Sequence, residues 1–191
     1  MPNFSTAFTY NSPSANACKP AWIRGSLGLL PLQAFLCATL ILFGSQFVLA
    51  VPAIDEPAPS LKGMLFDGTP FDLNTYKGKV VLVNFFSSFC KICALEIGNV
   101  ENYYEEFKSQ GLEVIVLSID RSDDKERSGR MAKNYNLPGG MVSDLIESGF
   151  EKKYPTPICF VIDRKGVLRA KYTGAKQPRF YRDVIVPLLK E

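Results

Sequence analysis

Long apolar runs alternate with an amphipathic segment in the second half of the chain. Residues 79 to 86, KVVLVNFF, are dominated by β-branched and aromatic side chains, a pattern typical of a strand buried on both faces of a sheet. Residues 112 to 119 repeat that pattern. Between the two runs, apolar side chains recur at spacings of three and four residues, at Ile97, Val100, Tyr104 and Phe107. This periodicity predicts an amphipathic helix that ends at Gly111 and joins the two strands.

Weaker patterns extend the folded region on both sides. Residues 61 to 78 contain two short apolar runs around Asp67-Gly68, which predicts a small N-terminal β-hairpin. The charged segment 121 to 135 predicts a solvent-facing helix. We expect a short extended piece at residues 141 to 143 and a short helix at residues 144 to 154.

The C-terminal patterns determine the predicted fold class. Residues 158 to 162 and 167 to 172 flank a turn at residues 163 to 166, which predicts an antiparallel hairpin, and residues 179 to 189 predict a terminal helix. A parallel strand-helix-strand unit followed by this antiparallel unit gives an α/β fold. We therefore predict a central mixed β-sheet flanked by helices.

The first sixty residues have a different character. Residues 1 to 25 are polar, whereas residues 26 to 50 carry no charge and are long enough to cross a membrane as a helix. The apolar core of that segment is short and is followed by Val48-Leu49-Ala50, features typical of a cleaved signal peptide. A retained anchor and a cleaved signal are both open. Residues 51 to 60 contain three prolines and predict an exposed linker, which leaves residues 61 to 191 as the folded domain.

Charge indicates export of the folded domain and weighs against nucleic acid as a partner. The chain has 22 Lys and Arg and 19 Asp and Glu residues, and it shows no basic stripe with interleaved aromatic side chains. The charged residues of the first fifty positions are Lys19 and Arg24, on the N-terminal side of the uncharged segment. By the positive-inside rule, we expect the domain to lie outside the cytoplasm, in the periplasm or cell envelope.

The composition removes several classes of active site. The chain contains no histidine, so Ser-His and Cys-His nucleophiles and His-bound metals are excluded. It contains five cysteines, Cys18, Cys37, Cys90, Cys93 and Cys159. An odd number with one close pair does not fit a structural disulfide framework. The close pair is therefore the candidate for chemistry.

Cys90 and Cys93 stand three residues apart at the start of the predicted helix. At this spacing their Cβ atoms are about 5 to 6 Å apart, close enough for a disulfide after small adjustments. The helix N-terminus favours the thiolate of Cys90, which we predict to be the nucleophile. Cys93 is predicted to resolve the mixed disulfide. A plain structural disulfide and half of a zinc site are alternatives, although zinc needs three or four ligands and the chain has no second CxxC.

Glu96 and Cys159 each have a functional and a structural interpretation. Glu96 lies one turn beyond Cys93, on the same face of the predicted helix, where a carboxylate could exchange a proton with that buried thiol. The alternative is a solvated acid that interacts with the helix dipole. Cys159 lies in an apolar run and is interpreted as a packing residue, with a third redox thiol as the alternative.

Several of these motifs together resemble one family. The run KGKVVLVNFFSSFCKIC, Glu96, the Thr156-Pro157 step and the run FVIDRKG are similar to thioredoxin-like thiol-disulfide oxidoreductases of the TlpA and ResA type, which include cytochrome c maturation proteins. The resemblance spans residues 57 to 190. It implies a thioredoxin-like fold and a role for Glu96 in the proton exchange of the second cysteine. It also implies that the Thr156-Pro157 bond is cis and faces the cysteine pair, and that Thr156 presents backbone groups to an extended substrate.

The residues around Cys90 depart from the pattern of that family. Phe89 stands where tryptophan is usual, and Ile92 stands where proline is common. Lys91 adds a positive charge that favours the Cys90 thiolate. The residues expected to contact the substrate are Phe89, Lys91, Thr156 and Pro157.

Together these features predict an exported reductase of protein disulfides that works through a Cys90/Cys93 dithiol-disulfide cycle, without a cofactor or a metal. Its expected partners are cysteine-containing exported proteins, with apocytochrome c implied by the resemblance, a thiol-based electron donor in the membrane, and the membrane itself if the N-terminal segment is retained. A disulfide-forming oxidant or isomerase is an alternative. So is a non-catalytic adaptor or metal-handling protein of the same fold, although copper delivery would favour a histidine. A thiol peroxidase is disfavoured, since the usual proline and threonine or serine around its cysteine are not matched, with Val83 seven residues before Cys90.

Overall fold

The computed structural model describes residues 52–151 and 154–191. These residues form seven strands and three α-helices, in the order β1 (Leu61–Leu65), β2 (Pro70–Asp72), β3 (Val80–Phe86), α1 (Lys91–Phe107), β4 (Leu112–Ser118), α2 (Lys125–Asn134), β5 (Gly139–Ser148), β6 (Ile158–Ile162), β7 (Leu168–Thr173) and α3 (Pro178–Leu189). The predicted N-terminal segments, residues 1 to 25 and 26 to 50, lie outside the described residues. Within the described ranges, no helix is both long and apolar enough to cross a membrane.

The strands form a single mixed sheet in the order β2-β1-β5-β4-β3-β6-β7. β4 pairs in parallel with β3 on one side and with β5 on the other. The remaining neighbours, β3 with β6, β6 with β7, β5 with β1 and β1 with β2, are antiparallel. The β1–β2 pair flanks Asp67-Gly68 and makes the hairpin at the N-terminal end of the domain. The predicted α/β fold with a central mixed sheet is confirmed.

β3 lies in the interior of the sheet because its side chains, apart from Asn84, are apolar on both faces. All seven of its residues are buried. On one face, the side chains that pack with α1 and α3 are Val80, Leu82 and Phe86. On the other face, the side chains that belong to the cluster with Phe150 and Tyr154 are Val81, Val83 and Phe85. Each fully buried side chain of this kind stabilises the fold by about 1.5 to 3 kcal/mol. The buried strand β3 therefore fixes the position of the residues that follow it.

α1 packs on the sheet through most of the predicted apolar face. The residues that the periodicity identified correctly as buried are Ile97, Val100 and Phe107. Tyr103, and not Tyr104, is the buried tyrosine, because its ring stacks on Tyr181 of α3 with the ring centroids 4.5 Å apart. After a 3-10 turn, Gly111 ends the segment at a φ of 98°, a left-handed conformation that favours glycine.

The predicted helix at residues 144 to 154 is wrong, and the extended piece at residues 141 to 143 is part of a longer strand, β5. The first residues of β5 pair with β4, and the rest pair with β1, where Gly63 lies opposite Leu145. A Cβ atom on Gly63 would lie 2.9 Å from Leu145 Cδ2, so glycine permits this close approach. Backbone pairing with a strand far upstream therefore overrides a weak local helix signal.

Part of the predicted linker, residues 51 to 60, lies against the sheet. The N–H groups of Asp55 and Ala58 donate to the carbonyls of Leu168 and Gly166, both at 2.8 Å. Leu168 begins β7, at the edge of the sheet where β6 ends and β3 begins. This stretch therefore lies at the end of the sheet opposite to the residues that follow β3.

Candidate active site

A disulfide joins Cys90 and Cys93 at the start of α1, with the two Cα atoms 5.2 Å apart. Cys90 is the N-cap residue, and its Sγ accepts a hydrogen bond from the Cys93 N–H at 3.1 Å. Unpaired N–H groups and the positive end of the helix dipole meet here, which favours a thiolate at Cys90 once the disulfide is reduced. Cys90 is partly exposed, whereas Cys93 has no exposed surface. This division fits the predicted roles of nucleophile and resolving thiol.

The zinc alternative for Cys90 and Cys93 needs further ligands. Within residues 52–151 and 154–191, no three cysteine, aspartate or glutamate side chains lie close enough together to bind a metal ion. The two sulfur atoms are instead bonded to each other. The geometry of the pair therefore supports thiol chemistry.

The Thr156-Pro157 segment faces Cys90 from the start of β6. The peptide bond between the two residues is cis, as the family resemblance implies. The Thr156 carbonyl oxygen lies 4.0 Å from Cys90 Sγ, although the two residues are 66 positions apart in the chain. Thr156 is partly exposed and Pro157 is buried. Thr156 is therefore more accessible than Pro157 to a bound polypeptide.

Asp120, which sequence reasoning missed, fixes the turn that leads into Cys90. Its carboxylate accepts hydrogen bonds from the Ser87 hydroxyl at 2.6 Å and from the Ser88 N–H at 2.8 Å. The Ser128 hydroxyl of α2 donates to the same carboxylate at 2.9 Å. Burial by itself would raise the pKa of Asp120, but these hydrogen bonds outweigh burial and hold that pKa below its usual value. The available signal was topological, because the ends of the parallel strands β3 and β4 meet at one edge of the sheet.

Glu96 is fully buried and paired, so its interpretation as a solvated acid is wrong. Its Oε1 accepts hydrogen bonds from the Lys176 ammonium at 2.8 Å and from the Tyr181 hydroxyl. Its Oε2 accepts from the backbone N–H of Lys176, also at 2.8 Å. Glu96 and Cys93 lie one turn apart on the buried face of α1. The carboxylate that pairs with Lys176 is therefore buried in the core on the same face of α1 as Cys93.

Sequence reasoning also missed Lys176 and Tyr181. Lys176 lies in the run GAKQP, where flanking glycine and proline indicate an exposed loop. Tyr181 lies within the predicted terminal helix, where an aromatic side chain indicates packing and nothing more. No local pattern connects either residue with Glu96, because the contacts span 80 and 85 positions of the chain.

Three exposed apolar side chains lie close to Cys90 in the chain. Phe89, Ile92 and Leu95 follow one another at spacings of three residues and are 58%, 54% and 71% exposed. The Arg127 guanidinium of α2 lies over the Phe89 ring, 4.2 Å from its centroid, and restrains the ring by a cation–π contact. Contiguous exposed apolar side chains are typical of interaction surfaces. We refer to Phe89, Ile92 and Leu95 as the outer patch.

The described residues match a known family. The model of the AhpC/TSA family aligns with residues 54–171 of the chain. This chain belongs to the AhpC/TSA family.

The chain is similar to two proteins in sequence and to a third in structure. Thiol-disulfide oxidoreductase ResA of Bacillus thuringiensis subsp. konkukian is 31% identical over 126 residues, which cover 63% of this chain and 70% of that protein. Peroxiredoxin Q, chloroplastic, of Sedum lineare is 29% identical over 134 residues, which cover 65% of this chain and 70% of that protein. The crystal structure of a thiol:disulfide interchange protein from Chlorobium tepidum has the same fold, with a TM-score of 0.61 at 23% identity over 73% of this chain and 99% of that one.

As a member of the AhpC/TSA family, this protein is a thiol-disulfide oxidoreductase of the TlpA and ResA type with a thioredoxin-like fold. The disulfide between Cys90 and Cys93 is the candidate for its redox pair. The predicted resemblance to that type is therefore confirmed.

Cys159, the further cysteine among the described residues of this family member, is buried in β6 opposite Asn84 of β3. Burial raises the pKa of its thiol to about 12, and the nearby Lys176 ammonium opposes this effect only in part. A thiol with this pKa stays neutral near physiological pH and is a poor nucleophile. These features support the packing interpretation of Cys159.

Proposed function

We propose that this protein is an exported reductase of protein disulfides, with Cys90 as the nucleophile and Cys93 as the resolving thiol. The observation that carries the proposal is the difference in access within the joined pair, since Cys90 reaches the surface and Cys93 has no exposed surface. A substrate disulfide can therefore meet only Cys90. The resemblance to cytochrome c maturation proteins supports reduction as the direction, with apocytochrome c as the leading substrate.

The cycle starts from the dithiol form. The Cys90 thiolate attacks one sulfur of the substrate disulfide, and the other substrate sulfur leaves as a thiolate. The Cys93 thiol then gives its proton to Glu96 and attacks the Cys90 sulfur, which releases the second substrate thiolate. The substrate gains two electrons, and the Cys90–Cys93 disulfide seen in the structure forms. A thiol donor in the membrane returns the pair to the dithiol form.

The substrate binds along Thr156 and the outer patch. Thr156 is partly exposed beside the buried Pro157, and its backbone pairs with an extended substrate segment next to Cys90. Phe89 supplies an apolar contact, and the exposed Lys91 supplies a positive charge beside the reacting sulfur atoms. An unfolded exported protein exposes apolar side chains and unpaired backbone groups around its cysteines, and these fit the contacts offered by Phe89 and Thr156.

The proposed location is outside the cytoplasm, in the periplasm or cell envelope. The support is the uncharged segment 26 to 50 behind Lys19 and Arg24, which acts either as a signal peptide or as a membrane anchor. Residues 61 to 191 form the exported domain, and residues 51 to 60 connect it to that segment. The proposed chemistry uses only protein thiols and needs no cofactor.

The direction of exchange is tested by the reduction potential of the Cys90/Cys93 pair. The full-length protein is equilibrated with glutathione and dithiothreitol buffers, and the dithiol fraction is measured by alkylation and mass spectrometry. A reductase is expected near or below about −270 mV, the range of thioredoxin. A potential near about −120 mV would instead identify a disulfide-forming oxidant and contradict the proposed direction.

Thiol peroxidase activity is a second candidate, because one relative is a peroxiredoxin Q. The reduced full-length protein is mixed with hydrogen peroxide, and loss of peroxide is followed against a Cys90→Ser control. We expect consumption no faster than that of free cysteine. Faster consumption that depends on Cys90 would favour the peroxidase.

A further inference from the structure

Glu96, Lys176 and Tyr181 form a buried polar cluster one helical turn below the disulfide. The Lys176 ammonium lies 2.8 Å from Glu96 Oε1, and neither side chain has any exposed surface. Lys176 also donates its backbone N–H to Glu96 Oε2, and its ammonium donates to the Gly174 carbonyl at 3.1 Å. Tyr181 adds a third donor to the carboxylate. Both carboxylate oxygens are thus held in place, mainly by a single residue.

Burial alone would work against the charge on Glu96. A carboxyl group that is removed from water without a cation becomes protonated instead of remaining ionised. A protonated Glu96 could not take up the proton of the Cys93 thiol. The ammonium of Lys176 compensates the buried negative charge, and it therefore decides whether Glu96 can serve Cys93 near neutral pH.

We propose that Lys176 and Tyr181 are positioning residues for thiol exchange, which keep Glu96 ionised and oriented to receive the proton of Cys93. The inference rests on the proposed function, because Cys93 must lose a proton only if it resolves a mixed disulfide. In that step the Cys93 proton passes to the Glu96 carboxylate, and the Cys93 sulfur bonds to the Cys90 sulfur. The bond between Cys90 and the substrate sulfur breaks, and its electron pair leaves with the substrate thiolate. That thiolate then takes up the proton from Glu96.

The titratable neighbours of Glu96 come from several elements of the fold. Those that face Glu96 or its partners from α1, β6, α3 and the segment before α3 are Cys93, Tyr103, Cys159, Tyr181 and Lys176. Burial, followed by the charge of Glu96, raises the pKa of Tyr181, so its hydroxyl remains a hydrogen-bond donor. The Cys159 thiol remains neutral because its pKa is raised to about 12. The Glu96–Lys176 pair is therefore the charged part of the cluster.

The experiment separates the two thiol steps with dithiobis(nitrobenzoate) as the probe. In the reduced full-length protein, attack by Cys90 releases one coloured thiolate, and attack by Cys93 on the mixed disulfide releases a second. We expect Lys176→Met to slow the second release about 100-fold at neutral pH, the scale of a lost general base, and to leave the first release unchanged. The pH profile of the second release should shift to higher pH. Tyr181→Phe should slow it about tenfold, and Lys176→Arg should restore most of the rate.

A matched control removes another cation from a buried carboxylate. Arg169 pairs with the buried Asp163 at 2.7 Å, beyond the end of β6 and far from the disulfide. Arg169→Met should leave both releases and their pH profiles unchanged. A second release with an unchanged pH profile in folded Lys176→Met would overturn the proposal.

A double variant keeps the test decisive if Lys176→Met alone does not fold. Glu96→Gln/Lys176→Met leaves no unpaired charge in the core, and it should match Glu96→Gln alone because Lys176 acts through Glu96. Further slowing of the second release in the double variant would overturn the proposal. Loss of the first release from the unmodified protein would contradict the proposed function itself, and the two failures are therefore distinguishable.

Discussion

The two cysteines of the proposed redox pair lie one helical turn apart but in opposite surroundings. Cys90 opens to solvent beside the apolar outer patch, whereas Cys93 is buried above a charged carboxylate and a charged ammonium. Globular proteins normally place apolar groups inside and charged groups outside. The surroundings of Cys90, here called the outer side, and those of Cys93, here called the inner side, both reverse this arrangement. The outer side is suited to binding a polypeptide, and the inner side is suited to moving a proton.

The largest effects should come from replacing each cysteine separately. Cys90→Ser should reduce the rate of insulin disulfide reduction by more than about 1,000-fold, because the outer nucleophile is lost. Cys93→Ser should keep the first attack but accumulate mixed disulfides, which non-reducing gels and mass spectrometry detect. Cys159→Ala serves as the control and should retain activity, since its buried thiol is not an exchange partner. Activity that survives Cys90→Ser would contradict the assignment of the nucleophile.

The ion pair on the inner side should also contribute strongly to the free energy of unfolding. Lys176→Met leaves the Glu96 carboxylate buried without its cation, and we expect it to lower the free energy of unfolding by about 3 to 5 kcal/mol. The measurement is urea denaturation of the disulfide form. Lys91→Met, which removes the exposed lysine beside Cys90, is the matched control and should change stability by less than about 0.5 kcal/mol.

The double variant Glu96→Gln/Lys176→Met tests the cause of that destabilisation. It should recover most of the lost stability, because no unpaired charge then remains in the core. Equal destabilisation in the single and the double variant would mean that lost packing, and not unpaired charge, explains the effect.

The difference between the two sides also shows what a sequence can predict. The runs that became β3 and β4 were recognisable because a strand buried on both faces needs continuous apolar residues. The candidate redox pair was recognisable because a disulfide needs only a spacing of three residues at a helix start. Both features depend on neighbouring residues.

The unpredicted features depend on contacts between distant residues. Lys176 is buried only because Glu96, 80 positions upstream, compensates its charge, and nothing near Lys176 indicates this. Residues 144 to 148 form a strand only because β1 offers backbone groups with which they pair. Local propensity gives a weak expectation at such places, and tertiary contacts decide the outcome.

A medium effect is expected from Asp120, which holds the turn on the outer side. Asp120→Asn should lower the free energy of unfolding by about 1.5 to 3 kcal/mol at neutral pH, because it weakens charge-assisted hydrogen bonds from Ser87 and Ser88. The pKa of Asp120 is lowered in the folded protein, so the carboxylate stabilises the fold fully above its ordinary value of 3.8. This contribution is lost as the pH falls below that value, through the folded pKa.

The pH dependence provides the check on Asp120. Urea denaturation at several pH values should show a difference between the parent protein and Asp120→Asn that is constant near neutrality and shrinks below pH 3.8. Asp123→Asn, in the neighbouring exposed turn, is the control and should give a much smaller difference. A difference for Asp120→Asn that grows on acidification would have the wrong sign for a lowered pKa.

The smallest effect should come from the outer patch and should appear only with protein substrates. Phe89→Ala removes an exposed ring beside Cys90, and we expect it to raise KM for insulin reduction about three- to tenfold, the scale of a single apolar contact. The rate with dithiobis(nitrobenzoate) should not change, because this small disulfide needs only the thiolate. Ile54→Ala is the matched control, since Ile54 is 46% exposed and adjoins Asp55, which bonds to the far end of the sheet. An equal rise in KM for both variants would show that general surface apolarity, and not the outer patch, binds the polypeptide.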